Sequence, residues 1–313
     1  MKRIILAGGS GFLGHALAGH FQKSGHEMVI LTRSPGPGLR VAREVAWDAR
    51  TMGDWVRELE GATAVINLAG RSVNCRYNPA NRRLIMESRV FSTRVLGEAI
   101  AQCKQPPRVW LNSSTATIYK HTFGSAWDEG GEIGGTPEAK DEFSVEVATA
   151  WEQELNKARV PRTRKIALRS AMVMGNRKNS VFPVLQKLAW FGLGGRMGSG
   201  KQFVSWIHEA DFCRAVEWLI AHEEMNGAVN LCAPKPVANA EMMELFRAVC
   251  HRPFGLPAAT WMLALGAFFL RTETELIIKS RRIVPGRLVE SGFEFQFPEL
   301  GQALKHLQIS KEK

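Results

Sequence analysis

Hydrophobic positions in the first half of the chain form two patterns. Short continuous runs rich in β-branched residues are typical of strands buried on both faces of a parallel sheet. Between them, residues that are apolar at every third or fourth position predict helices with one buried face. The predicted strands are 3–7, 27–32, 41–47, 64–68, 109–113 and 165–174, and the predicted helices begin near 12, 79 and 144. This alternation predicts a doubly wound, Rossmann-like parallel α/β sheet.

The second half of the chain is less regular. It predicts a helix over 180–191, a glycine-rich loop over 192–202 and a strand over 203–207, followed by a helix over 209–222 and a strand over 229–232. Three or four helices are expected from Asn239 onwards. We therefore divide the chain into a Rossmann-like domain, 1–170 and 206–231, and a smaller, mainly helical subdomain, 171–205 and 232–313.

A glycine-rich turn joins the first strand to the first helix. Gly8, Gly11 and Gly14 have the spacing G-x-x-G-x-x-G. Glycine at these points permits a tight turn, lets backbone N–H groups approach a pyrophosphate and lets the helix pack closely on the strand. The helix N-terminus adds partial positive charge toward the phosphates. The pattern predicts a dinucleotide site, and its alternative is a purely structural turn.

The end of the second strand bears on which dinucleotide is bound. Thr32 ends this strand and Arg33 follows it. An acidic residue here would bind the ribose 2′-hydroxyl of NAD, whereas a guanidinium matches a 2′-phosphate. Arg33 therefore favours NADP, although it could also be a solvated surface arginine. Asp48, after the third predicted strand, is placed to reach the adenine edge.

Candidate cofactor contacts also follow the fourth and fifth strands. The small residues of 67–70 allow a cofactor to lie across the strand end, and Ser113 ends the fifth strand. Arg89, on the long helix, could reach a cofactor phosphate or carboxamide, or lie at the surface. The glycine-rich loop 192–202 is typical of a segment that covers a ligand, with a flexible connection as the alternative.

Amino-acid composition and net charge exclude few classes of binding partner. The 313 residues are 45% hydrophobic and 23% charged, and Lys plus Arg exceeds Asp plus Glu by 41 − 30 = 11. No basic run is longer than two residues, so a phosphorylated cofactor or substrate explains the charge more simply than nucleic acid or lipid. Five cysteines without a C-x-x-C pair predict reduced thiols in a cytoplasmic protein, and the eight histidines show no metal spacing.

The chain shows no pattern that predicts a membrane segment. We expect no signal peptide, because Arg3 and the glycine turn leave no long apolar run at the start of this sequence. The most apolar stretch, 261–270, is too short to span a bilayer and reads better as a core or interface helix. We expect a small-molecule substrate, no nucleic acid and no membrane as partners, and a homodimer is left open.

Several motifs are spread over nearly the whole chain. They are GGSGFLG at 8–14, TRSPGPG at 32–38, VINLAG at 65–70, SRVFSTR at 88–94, WE at 151–152, LRSAMVMG at 168–175, GLGGRMGSGKQFVSWIHEAD at 192–211 and FPELGQAL at 297–304. Together they resemble the extended short-chain dehydrogenase/reductase superfamily, and within it an atypical epimerase-like branch with a helical C-terminal domain.

The resemblance implies roles for individual residues. It implies an NADP site with contacts at Gly8, Gly11, Phe12, Leu13, Thr32, Arg33, Asn67, Leu68, Ala69 and Arg89. It also implies that the loop through Lys201, Gln202, Trp206 and His208 faces the substrate. Arg76 would look toward the nicotinamide end.

One departure from the family pattern concerns catalysis. Ordinary members use a Tyr-x-x-x-Lys pair with a Ser or Thr, and Thr115 lies where the hydroxyl residue belongs. Aligning Trp151 and Glu152 with the family places Phe143 at the tyrosine position and Val147 at the lysine position. Loss of a positioned acid or base typically costs a factor of about 10²–10⁴ in rate.

Two residues offer a substitute acid. Tyr119 could supply a phenol and His208 an imidazole. The alternative for Tyr119 is a packed loop aromatic, and the alternative for His208 is a hydrogen-bonded residue at a strand end.

Two hypotheses follow for the function of the protein. The first is an NADP-dependent oxidoreductase or epimerase-like isomerase acting on a small polar, phosphorylated or nucleotide-linked substrate. The second is a non-catalytic NADP-binding regulatory or structural protein, with a link to cell division.

Overall fold

The computed structural model describes residues 2–36, 42–262 and 275–309, and the structural statements below concern these residues. Its centre is a seven-stranded parallel sheet. The strands are β1 (Arg3–Ala7), β2 (Glu27–Thr32), β3 (Arg43–Ala46), β4 (Ala64–Asn67), β5 (Val109–Thr115), β6 (Arg164–Ser170) and β10 (Gly227–Leu231). The predicted Rossmann-like parallel sheet is confirmed.

The strand order places a ligand crevice in the middle of the sheet, at the carboxyl ends of its strands. The order is β10-β6-β5-β4-β1-β2-β3, so the direction of winding reverses between β1 and β4. Crevices at such a switch point are where doubly wound sheets bind ligands. A Cβ atom on Gly8, just after β1, would lie 2.7 Å from the Cα of Ala69, just after β4. This close approach explains why the chain needs glycine at position 8.

Helices cover both faces of the sheet. The main ones are α1 (Phe12–Lys23), α2 (Pro79–Gln102), α3 (Glu142–Lys157), α4 (Phe182–Trp190), α5 (Glu209–Ala221) and α6 (Asn239–Val249), with shorter helices over Glu275–Ile278, Gly286–Glu290 and Leu300–Ile309. Short 3-10 turns span Asp54–Leu59 and Ala116–Ile118. An apolar core lies on each face of the sheet, and successive residues of β1 point into one core and then the other. Leu6 packs toward Leu17 of α1, and Ile5 packs toward Leu96 of α2.

Two predicted strands are each divided in the structure. The run 165–174 forms β6 and then β7 (Met172–Met174), because the chain leaves the main sheet at Ala171. The run 203–207 forms β8 (Phe203–Val204) and β9 (Trp206–His208), which join different ladders: β9 pairs with β7, and β8 pairs with β11 (Val237–Ala238). An unbroken apolar run in the sequence does not show at which residue the chain leaves one sheet and joins another.

The C-terminal part has its own apolar core. Phe182, Trp206, Phe246 and Leu304 are buried in it together. The predicted domain boundaries stay a prediction, and most of the apolar stretch 261–270 lies outside the described residues. Within the described part of the chain, no helix is long and apolar enough to cross a membrane.

Candidate functional site

A cleft of about 490 Å³ opens at the carboxyl ends of β1, β4 and β5. Its walls come mainly from the glycine turn after β1, the loop after β4, the end of β5 and one face of α3. The lining residues are Gly8, Gly11, Phe12, Leu13, Gly14, Leu68, Gly70, Arg71, Ser72, Val73, Tyr77, Ile85, Arg89, Ser113, Ser114, Thr115, Thr117, Phe143, Ser144, Val147, Trp151, Ser170 and Asn179.

The glycine turn gives one end of the cleft its anion-binding character. Gly8 has a positive φ of 73°, a conformation that glycine adopts without strain. Gly11 precedes α1 and supplies no side chain to cap it. The first-turn N–H groups of α1 have no intrahelical acceptors and carry partial positive charge. The turn can therefore hold a phosphate, as its sequence predicts.

A buried polar network fixes the loop after β4. Asn67 is fully buried, and its Nδ2 donates to Oδ1 of Asn112 at 2.7 Å. The Asn67 Oδ1 accepts the N–H of Ala69 at 3.0 Å. Thr93 Oγ1 lies 3.3 Å from both Asn67 Nδ2 and Asn112 Oδ1, and accepts from the Trp151 indole at 3.0 Å. Asn67 thus holds the loop in place from behind the cleft.

Arg89 brings a positive charge into the cleft. Its Nη1 donates to the backbone oxygens of Arg71 and Ile85 at 3.1 and 3.0 Å, and its guanidinium lies 5.0 Å from the Trp151 ring centroid. Burial lowers the pKa of Arg89 to about 10, with Tyr77 acting in the opposite direction. Arg89 is therefore still cationic at neutral pH.

The face of α3 turned to the cleft is apolar at the positions where the family resemblance places its acid and base. Phe143, Val147 and Trp151 lie at i, i+4 and i+8 and all line the cleft. Tyr77 reaches this wall from the loop before α2, with its ring centroid 5.0 Å from that of Phe143. A phenol is therefore present beside Phe143, although α3 does not supply it.

The structure brings part of the predicted site together. The predicted residues that line the cleft are Gly8, Gly11, Phe12, Leu13, Leu68, Arg89, Ser113 and Thr115. Thr32 is buried at the end of β2, and Arg33 beside it is exposed. Asp48 is exposed, and its carboxylate accepts from the Arg50 and Thr51 N–H groups at 2.8 and 2.9 Å. The hydrogen bond from the Thr51 hydroxyl, together with these two N–H bonds, holds the pKa of Asp48 below its ordinary value.

Tyr119 is held inside the protein rather than in the cleft lining. It is 2% exposed, its hydroxyl donates to Asn230 Oδ1 at 2.8 Å, and it accepts from Arg169 Nη1 at 2.8 Å. Burial raises the pKa of Tyr119 to about 12. Arg169 also forms a buried, two-bond pair with Glu152. The Tyr119 phenol therefore has a structural role in this arrangement.

His208 is likewise buried, and its ring contacts other side chains and the backbone of α5. It is 1% exposed and stacks on Phe297, with ring centroids 3.9 Å apart. Its Nδ1 accepts the N–H of Ala210 at 2.9 Å and so caps α5. A neutral ring with this acceptor carries its proton on Nε2, which lies 3.1 Å from Nδ1 of His306. His208 is a capping residue away from the cleft lining.

Acid should destabilise the fold through His208. Burial lowers its pKa to about 3, and His306 acts in the same direction, whereas an unfolded histidine titrates near 6.5. Between these values the unfolded chain binds the extra proton, so the histidine's contribution to stability is complete above pH 6.5 and is lost as pH falls. From pH 7.5 to 5 this group should cost about 2 kcal/mol.

The matched variant is His208→Asn, which keeps an acceptor for Ala210 and cannot titrate. Urea unfolding at pH 7.5 and 5 should show a pH-dependent loss of stability about 2 kcal/mol smaller in the variant than in the wild type. Identical pH dependence in the two proteins would contradict this account of His208.

The other predicted substrate residues lie in the C-terminal part or at the surface. Gln202 is 3% exposed and its Nε2 donates to the Met197 carbonyl oxygen at 2.8 Å. Trp206 is fully buried with its indole on the Lys235 carbonyl oxygen. Lys201 is exposed, and the half-buried Arg76 holds Asn81 through its carbonyl oxygen. None of the four lines the cleft.

Several cleft residues were missed from the sequence, notably Tyr77, Arg71, Thr117 and Ser144. Tyr77 had a usable signal, because it is one of two tyrosines and follows a strand that ends at the switch point. Thr117 had none: its carbonyl oxygen accepts from Lys279 at 2.6 Å, a contact between distant segments. Among the described residues, no cluster of His, Cys, Asp and Glu could hold a metal ion.

The parallel sheet and the glycine-lined cleft define a protein of the extended short-chain dehydrogenase/reductase type. A model of the NAD dependent epimerase/dehydratase family matches residues 4–232, so the chain belongs to this family. A domain of unknown function, DUF1731, matches residues 258–307. The resemblance drawn from the sequence motifs is thereby confirmed.

Full-length relatives exist in animals and bacteria. The human epimerase family protein SDR39U1 is 29% identical over 97% of this chain and 99% of its own length. The Bacillus subtilis epimerase family protein YfhF is 29% identical over 97% of each chain. The crystal structure of human SDR39U1 with NADPH has a TM-score of 0.85 and covers 98% of this chain and 99% of that one. A UDP-N-acetylglucosamine 4-epimerase from Bacillus cereus, 17% identical with a TM-score of 0.77, shares the fold.

Proposed function

We propose that this protein binds NADP(H) in the cleft and uses it as an oxidoreductase or epimerase-like enzyme on a small polar substrate. The observation that carries the proposal is the meeting of Gly8, Gly11 and the uncapped start of α1 at the switch point of the sheet. The human relative whose structure contains NADPH supports the choice of cofactor.

The cofactor would lie along the carboxyl ends of the strands. The N–H groups at the start of α1 would hold the pyrophosphate. Arg33, exposed at the end of β2, would bind the 2′-phosphate of the adenosine ribose. Leu68, Arg89 and Ser113 would line the path toward the nicotinamide. When bound, the cofactor supplies or accepts a hydride.

Hydroxyl groups and one guanidinium define the remaining space. Thr115, Thr117 and Ser144 line the cleft, and Arg71 lies at its edge. These donors suit a substrate rich in hydroxyl or phosphate oxygens, which includes a nucleotide-linked sugar. The Thr115 hydroxyl would orient the substrate, the role that the family resemblance implies for it.

Tyr77 would act as the proton donor. The titratable groups among the described cleft residues are Arg71, Arg89 and Tyr77, and an arginine does not release its proton in a protein. Arg89 places a positive charge in the same cleft. Position supports the same assignment, because Tyr77 contacts the Phe143 ring on the wall of the cleft.

The test measures NADPH consumption with a panel of polar carbonyl compounds, and epimer formation from nucleotide sugars with NADP⁺, because an epimerase returns the hydride to its substrate and consumes no net cofactor. Tyr77→Phe should lower kcat by about 10²–10⁴ and leave the Kd for NADPH within twofold, because a proton transfer is lost and a binding contact is not. Tyr119→Phe is the control: it removes a phenol outside the cleft and should leave kcat nearly unchanged.

The second hypothesis is a non-catalytic NADP-binding protein. It rests on Phe143 and Val147, two apolar residues that line the cleft where the family resemblance places a tyrosine and a lysine. Tight NADPH binding with neither NADPH consumption nor epimer formation across the panel would favour it. Turnover that survives in Tyr77→Phe would instead reject Tyr77 as the donor and retain the enzyme.

A further inference from the structure

Six large apolar side chains are well exposed on the C-terminal part of the fold. They are each between 50% and 70% exposed and none lines the cleft. We call them the apolar patch: Trp190, Phe191, Leu193, Phe254, Leu256 and Trp261. Scattered single hydrophobic residues are normal on a protein surface, whereas exposed large side chains gathered on neighbouring segments mark a contact surface.

Two chain segments build the apolar patch. The Leu256 N–H donates to the Gly192 carbonyl oxygen at 2.8 Å, and the Gly195 N–H donates to the Leu256 carbonyl oxygen at 3.2 Å. A Cβ atom on Gly195 would lie 2.4 Å from the Leu256 backbone, so glycine lets the segments touch. The rings of Trp190 and Phe191 are 5.0 Å apart. The segments that carry Leu193 and Leu256 are therefore paired through their backbones.

Two positive charges lie against aromatic rings of the apolar patch. Lys187 lies 5.9 Å from the Phe191 ring centroid and Arg252 lies 5.3 Å from that of Trp190. The segment 175–208 contains five Lys and Arg residues and no Asp or Glu, and 249–262 contains Arg252 and no Asp or Glu. The acidic residues Glu241 and Glu244 belong to α6, between these segments. The segments that carry the apolar patch thus have one sign of charge.

We propose that the apolar patch docks this protein on the anionic surface of a lipid bilayer. Trp and Phe rings favour the boundary between headgroups and acyl chains, and Lys and Arg beside them meet anionic lipid headgroups. A second copy of the chain would instead bring two cationic rims together. Docking of this kind needs no spanning helix. It departs from the expectation of no membrane partner, which depended on span length and on the absence of long basic runs in the sequence.

The test is co-sedimentation with vesicles of phosphatidylcholine alone or mixed with phosphatidylglycerol. The wild type should bind the mixed vesicles at least tenfold more tightly, and less so at high salt. Each Lys or Arg near an anionic surface contributes about a fivefold gain in binding. Lys187→Glu/Arg252→Glu should therefore weaken binding by well over tenfold. Phe254→Ser/Leu256→Ser, which removes two exposed apolar side chains, should weaken vesicle binding by at least tenfold.

Matched controls change similar residues elsewhere. Phe123→Ser removes an aromatic ring that is 53% exposed, and Arg57→Glu reverses a charge on a side chain that is 83% exposed. Both should bind like the wild type. The proposal is overturned if the mixed vesicles are bound no better than neutral ones, or if the patch variants bind normally. It is also overturned if the wild type is a dimer that Phe254→Ser/Leu256→Ser dissociates, since a second copy would then cover the patch.

Discussion

Lys279→Met is expected to lower the free energy of unfolding by about 3–5 kcal/mol. Lys279 is 1% exposed, and its Nζ forms an ion pair with the fully buried carboxylate of Asp141. The same Nζ donates to the Thr117 carbonyl oxygen at 2.6 Å. Methionine has a similar length and leaves the carboxylate buried without its cation. Urea unfolding at pH 7 measures the loss.

Two further variants separate the ion pair from general packing. Lys279→Met/Asp141→Asn removes both charges and keeps an acceptor for the Thr136 N–H, which donates to Asp141 Oδ1 at 2.8 Å. It should recover most of the loss, because no lone charge stays buried. The exposed pair of Lys235 with Glu299 is the control, and Lys235→Met should cost no more than about 1 kcal/mol. A loss below 1 kcal/mol for Lys279→Met would contradict this account.

Gly11→Val is expected to abolish NADPH binding while leaving the fold intact. A Cβ atom on Gly11 meets nothing within 4 Å, and its φ of −91° suits any residue. Its side chain would enter the cleft where the pyrophosphate is proposed to lie. We expect at least a hundredfold weaker NADPH binding, measured by fluorescence titration, with the free energy of unfolding within about 1 kcal/mol of the wild type.

Gly14 and Gly19 provide the contrast on the same helix. A Cβ atom on Gly14 would lie 1.9 Å from the Gly9 carbonyl oxygen, so Gly14→Ala should destabilise the fold by about 3 kcal/mol. Gly19 has open space around it, and Gly19→Ala should stabilise α1 by about 1 kcal/mol. If Gly11→Val unfolds the protein or binds NADPH normally, the assigned position of the pyrophosphate is wrong.

The sheet was predictable because its strands are buried on both faces. The bounds of β1 and β2 agree with the prediction to the residue, since unbroken apolar runs leave no other place for them. Glycine spacing likewise led directly to the turn beside the cleft. These features depend on short-range sequence, where side-chain size and backbone freedom decide the structure.

The polar part of the site was less predictable. His208, Trp206 and Gln202 carry the residue types of a binding loop, yet their polar atoms satisfy backbone groups inside the C-terminal core. A buried hydrogen-bonding residue and a ligand-binding residue have the same appearance in a sequence. Distinguishing them requires knowing which distant segment covers each one. The same reason explains the difference between Tyr119, which is buried on Asn230, and Tyr77, which lines the cleft.

The central claim is that the cleft holds NADP(H), with Arg33 on the 2′-phosphate. Calorimetric titration of the wild type and Arg33→Ala with NADPH and with NADH tests it most directly. The wild type should bind NADPH at least tenfold more tightly than NADH, and Arg33→Ala should lose that difference with little change toward NADH. Absence of measurable affinity for either nucleotide would contradict the claim.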